Sequence, residues 1–103
     1  MAQPVNPKQS MQPCGYQQIT TLSTAGGVAL TVPVETSARR APTMALIKCE
    51  TQAVRYTDDA SAPTSTVGFP LAVGETLTYT GNLAALKFIE QAASAKLNVL
   101  YYA

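Results

Sequence analysis

Apolar residues recur at every second position in short runs along most of this chain, and glycine, proline, asparagine and aspartate break the runs. Such alternation turns one face of a strand toward a core and the other toward solvent. It begins at residues 16–22. Gly26 and Gly27 then supply the positive φ of a tight turn, and Val28, Leu30 and Val32 repeat at period two, so this stretch predicts a hairpin. Pro33 cannot donate to a ladder and ends the run, which leaves residues 35–42 (ETSARRAP) as an exposed loop carrying Arg39 and Arg40.

In TMALIKCETQAVRYT the apolar positions Ala45, Ile47 and Cys49 share one parity, whereas Val54 and Tyr56 take the other. The switch predicts a turn or bulge near residues 50–52 between two paired strands. Residues 58–63 (DDASAP) carry turn chemistry, and residues 67–74 (VGFPLAVG) read as an apolar loop or a short strand interrupted by Pro70. Leu77 and Tyr79 mark a further strand, closed by Gly81 and Asn82.

Residues 83–97 carry two conflicting signals. Leu83, Leu86, Glu90, Ala93 and Leu97 fall near helical spacing among helix-favouring alanines. Against this, Leu86 and Phe88 fit one face of a strand, QAASA a connection, and Leu97, Val99 and Tyr101 a final alternating strand. The strand reading agrees with the rest of the chain. It predicts an all-β fold of seven or eight short strands, a small antiparallel β-sandwich or barrel.

Residues 1–15 (MAQPVNPKQSMQPCG) break the pattern, with Pro4, Pro7 and Pro13 and scarcely an apolar pair. Nothing in them offsets the entropy of ordering alone, so they predict an extended, flexible N-terminal arm ahead of a single domain over residues 16–103. An arm of this kind can order on a neighbouring subunit, which makes Pro4, Val5, Pro7, Met11 and Pro13 candidate contact residues. Arg39 and Arg40 join them as candidates for docking an acidic neighbour.

At 103 residues the chain supports one modest core. Charged residues make up 13% and hydrophobic ones 47%, so much of the surface is suited to meeting protein rather than only water. A net charge of +1 gives no footprint for nucleic acid or anionic membrane. No apolar run approaches the roughly 20 residues of a membrane span, and MAQPVNPKQS lacks the features of a secretory leader, so the expectation is a soluble chain that starts in a cytoplasm. Cys14 and Cys49 are expected as free thiols, Cys49 packing as a small hydrophobe, with a bridge between them as the alternative.

Candidate chemistry is sparse. The chain has no His and no Trp. A nucleophilic triad therefore loses its usual base, and zinc its usual ligands. Asp58, Asp59 and Glu75 lack calcium-loop spacing, and no phosphate-binding glycine loop occurs. A glycosidase pair would want aromatic subsites that this composition scarcely supplies. The expectation is a protein without catalytic residues, cofactor or metal.

Val54-Arg55-Tyr56-Thr57-Asp58-Asp59, Ala62-Pro63-Thr64, Val67-Gly68, Pro70-Leu71, Gly74-Glu75, Tyr79, Leu86-Lys87-Phe88-Ile89 and the closing Leu97-Asn98-Val99-Leu100-Tyr101 together resemble small virion structural proteins of tailed bacteriophages. The resemblance covers about half the chain and leaves out its N-terminal third. It implies a jelly-roll-like sandwich in the particle, assembled in the host bacterial cytoplasm. Its place there would be as a capsid decoration or cement protein, or as a part of the neck, tail or fibre, with the major capsid protein or other virion proteins as partners. A symmetric homo-oligomer fits the same picture. PLAVGETLTYTG also resembles metal-free cupin-type jelly rolls, although of the ligands of a metal cupin only Glu75 is present. A carbohydrate- or receptor-binding sandwich is the alternative, with Tyr16, Tyr56, Phe69 and Tyr79 as the residues able to form its platform.

Overall fold

The computed structural model describes residues 12–103. The chain forms eight strands: β1 Pro13–Ile19, β2 Val28–Ala29, β3 Met44–Glu50, β4 Val54–Thr57, β5 Phe69–Leu71, β6 Thr76–Thr80, β7 Lys87–Glu90 and β8 Lys96–Tyr102. They build two four-stranded antiparallel sheets in the orders β1-β8-β3-β6 and β2-β7-β4-β5. First strand pairs with last, second with seventh, third with sixth and fourth with fifth. The chain is thus a long two-stranded ribbon rolled up on itself, the jelly roll.

Rolling the ribbon explains where the residue pattern misleads. The expected hairpin over residues 16–32 does not form: β1 pairs with β8, and β2 with β7. Gly26 and Gly27, at φ 88° and 89°, turn the chain from one sheet into the other, and Leu22 and Leu30 on either side are both buried. A flat hairpin would have left one of those sets without a facing layer. The parity switch after Cys49 has the same meaning. β3 and β4 lie in different sheets rather than pairing, and Thr51 at φ 71° makes the corner that lets Cys49 and Val54 both point inward from opposite layers.

The first sheet begins earlier than residues 1–15 alone suggested. β1 starts at Pro13, ahead of the expected boundary at Tyr16, and a register shift between Pro13 and Gly15 bulges the strand so that Cys14 turns into the core. Reciprocal bonds between Gln12 and Ala103, 2.8 and 2.9 Å, extend the ladder by one step. Cys14 and Cys49 are free thiols, both buried. The Cys49 thiol donates to the Gln52 carbonyl at 2.9 Å, and burial pushes its pKa up.

Residues 83–97 follow the strand reading. Helical character is confined to one 3₁₀ turn, Leu83–Ala85, capped where the Asn82 side chain accepts from the Ala84 N–H at 3.2 Å. Alternation overrides alanine propensity beyond that point, because Leu97, Val99 and Tyr101 bury one face of β8 at 0%, 0% and 1% exposure. Pro70 does lie within a strand, but β5 is a sheet edge, where a missing N–H breaks no ladder.

The core lies between the sheets, with Ile47, Leu97, Val99 and Tyr101 from one and Val54, Phe88 and Leu71 from the other. Tyr101 keeps its phenol satisfied by donating to the Gln17 side-chain oxygen at 2.7 Å, and burial pushes its pKa up to about 12. A folded-state pKa above the unfolded value of about 10 means that the stabilisation is complete below pH 10 and is lost as pH rises through 12. Alkaline urea titrations should therefore show a loss of roughly 2–3 kcal/mol between those limits. Tyr101→Phe should cost about 1 kcal/mol at neutral pH and show a flatter alkaline limb. The two thiols should react with a disulfide reagent only at the rate of unfolding, checked by comparing labelling in buffer and in urea.

Candidate functional site

The outer faces of the two sheets are treated differently by the chain. The β4–β5 connection folds back over the second sheet, where Pro63 is fully buried and sits so close to Gly27 that a Cβ there would lie 2.9 Å from its ring. Arg55 pins the same loop, donating from Nε to the Ser65 carbonyl at 3.2 Å and from Nη1 to the Gly68 carbonyl at 2.8 Å. The outer face of the first sheet has no such cover among the described residues.

Strand register assembles that bare face in rows. Tyr16, Leu100, Leu46 and Thr78 stand side by side across β1, β8, β3 and β6, flanked on one side by Gln18, Asn98, Lys48 and Thr76 and on the other by Tyr102, Met44 and Thr80. Tyr16 is 60% exposed and Leu100 42%, both in a shallow hollow of about 360 Å³ whose other lining includes Leu46 and Thr76. Polar groups border the apolar centre. Asn98 accepts from the Tyr16 hydroxyl at 2.6 Å and from Gln18 Nε2 at 3.3 Å, and its own amide donates to Glu50. An apolar centre with hydrogen-bonded polar groups at its border is the anatomy of a protein–protein contact.

Geometry also limits this face. Four strands about 4.8 Å apart and five to seven residues long present a face of only about 300–450 Å², well short of the roughly 800 Å² per partner of a stable standard interface. One such face alone makes a weak contact.

The residues singled out from sequence are distributed unevenly. Pro13 is exposed at the head of β1, at the margin of the bare face. Arg39 and Arg40 are exposed on the β2–β3 connection and not on the sheet, in a tight turn closed by Thr36–Arg39 backbone bonds of 2.9 and 3.3 Å. Pro4, Val5, Pro7 and Met11 lie outside the described residues. At the centre of the face only Tyr16 is singled out by the sequence reading, for a receptor platform; Leu46 and Leu100 are not. Their signal was present in MALIK and LNVLYY, strands that are apolar at both parities and so exceed what one core face needs.

The acidic residues serve the turns. Asp59 accepts from the Ser61 N–H at 3.1 Å and from its hydroxyl at 2.5 Å, and these bonds lower its pKa. Glu75 accepts from the Ala72 N–H at 2.6 Å, and Asp58 from the Tyr79 hydroxyl at 3.4 Å. No group of three or more His, Cys, Asp or Glu is placed to hold a metal ion among the described residues. Of the four aromatic residues considered for a platform, Tyr56, Phe69 and Tyr79 lie on the adjacent strands β4 and β5 and on β6, whereas Tyr16 is on the bare face.

No family, no curated protein and no solved structure matches this chain.

Inward and outward residues of β8 should separate sharply under mutation. Leu100→Ser should change urea-derived stability by less than about 0.5 kcal/mol, whereas Val99→Ala beside it should cost about 2 kcal/mol.

Proposed function

We propose that this protein is a non-enzymatic structural component of a bacteriophage particle, a decoration or cement protein that binds the major capsid protein through repeated weak contacts. The observation that carries the reading is the bare, apolar-centred face of the first sheet on a jelly roll whose other face is covered by its own loop. The tailed-phage resemblance of residues 54–101 gives that face a setting, the surface of a shell assembled in the host cytoplasm.

The mechanism is clamping by multiplicity. A face so far below standard size, and partly polar, leaves little after the cost of immobilising the partner, so a single copy binds feebly. Copies that also touch one another, or that bridge two shell subunits, convert later contacts into intramolecular ones and gain avidity without new chemistry. Pro4, Val5, Pro7, Met11 and Pro13, together with Arg39 and Arg40, are the residues assigned to widen the contact area. A neck, tail or fibre position uses the same face with fewer copies.

Two measurements check the reading. Quantitative mass spectrometry of purified particles should find this chain at an abundance comparable with the major shell protein. A far lower number moves it to the neck, tail or fibre, and absence from particles sinks the virion reading. Leu46→Glu combined with Leu100→Glu should leave the fold intact and reduce attachment to shells lacking the protein by at least about tenfold; undiminished attachment would remove the bare face from the contact.

A further inference from the structure

Tyr56, Phe69 and Asp58 line an open cleft of about 290 Å³, with Thr57 as the remaining wall, where β4 gives way to the β4–β5 connection. The Tyr56 and Phe69 rings meet edge to face, with centroids 5.6 Å apart and planes at 69°. Phe69 is 67% exposed, and Tyr79 reaches the same carboxylate from the opposite sheet, its hydroxyl donating to Asp58 at 3.4 Å. Two aromatic walls set nearly at right angles make a corner with a negative charge beside it. A sugar ring stacks best on rings lying in one plane, whereas a corner with a carboxylate suits a planar cation that stacks on the exposed Phe69 ring and pairs with Asp58. The local field has the matching sign: after burial, the charges of Asp58 and Glu75 help to raise the Tyr56 pKa.

We propose that this cleft is a socket for a guanidinium group, supplied by the Arg39–Arg40 turn of a second copy of the chain. The inference rests on the building-block reading above. Arg55 is committed to the Ser65 and Gly68 carbonyls, which leaves Arg39 and Arg40 as the exposed arginines of the described chain. Their turn is braced by the Thr36–Arg39 bonds and by the Ala38 N–H donating to the Thr36 hydroxyl at 3.2 Å, so less backbone freedom is lost when it docks. Knob and socket are different patches of one surface. Contact between copies is therefore either reciprocal about a two-fold axis, each knob in the other's socket, or head to tail, closing into a ring if the rotation permits.

The socket is tested first on the isolated full chain, by following backbone amide resonances during addition of N-acetyl-arginine amide. Saturable shifts at Thr57, Asp58 and Phe69 are expected, with a dissociation constant on the order of 10 mM. The uncharged isostere N-acetyl-citrulline amide should bind about tenfold more weakly, Asp58→Asn should weaken arginine binding about fivefold, and Phe69→Ala about threefold. No saturable shift, or equal binding of citrulline, overturns the socket.

The source of the arginine is tested by sedimentation at concentrations near 1 mM, chosen to match so weak a contact. Wild type should associate, Arg39→Asp/Arg40→Asp and Asp58→Arg should each sediment as monomers, and mixing the two variants should restore association. A monomeric wild type that still binds arginine amide overturns the second copy as donor and assigns the socket to an arginine of another protein. Neither assay involves a shell, so failure here is separable from failure of shell attachment.

Discussion

Every strand of this protein has one face that must leave water, and a short strand cannot bury that face without a second layer opposite. That constraint decides the topology. With segments of two to seven residues no single sheet could enclose the apolar set, so the chain changes sheet at nearly every connection and returns only once, between β4 and β5, to the sheet it has just left. The crossings turn on left-handed backbone, which Gly26 and Gly27 adopt freely after β1 and into which β-branched Thr51 is forced after β3. The core then assembles from residues far apart in sequence, as in the hydrogen bond between Tyr101 and Gln17.

Function follows from what is left outside. Both sheets have an outer face, but the chain uses the β4–β5 connection, with Pro63 and the Arg55 bonds, to seal only one. The other carries an apolar row at its centre. The charged turn of Arg39 and Arg40 and the aromatic cleft at Asp58 lie elsewhere on the surface, so the molecule offers contacts in more than one direction. That arrangement suits the building block proposed above.

Much of the fold was legible in the residues because alternation and punctuation are local signals. The strand carrying Tyr101, the turn at Asp58–Asp59 and the corner near Glu50 all follow from neighbours in sequence. Pairing is not local. Gly26 and Gly27 look the same whether they close a hairpin or carry the chain across the core, and only the need of Leu22 and Leu30 for facing layers separates the two. Cys14 was read with the arm because proline and glutamine surround it, yet a bulge turns it inward. The bare face was harder still. Half-buried Leu46 and exposed Leu100 are unremarkable as individual residues and become a surface only when register sets them beside each other.

The position of β8 has a consequence for how the protein is made. It is the final strand in the sequence, yet it lies between β1 and β3 and completes the ladder of both. While the chain emerges from the ribosome, β1 and β3 have no bridge between them. The only pair that can close from nearest neighbours is β4 with β5. The four-stranded first sheet therefore cannot be completed until β8 has been made, and until then the edges that β8 pairs stay open to association with other nascent chains. Synthesis rate and chaperone supply thus bear on how much of the chain reaches the folded state.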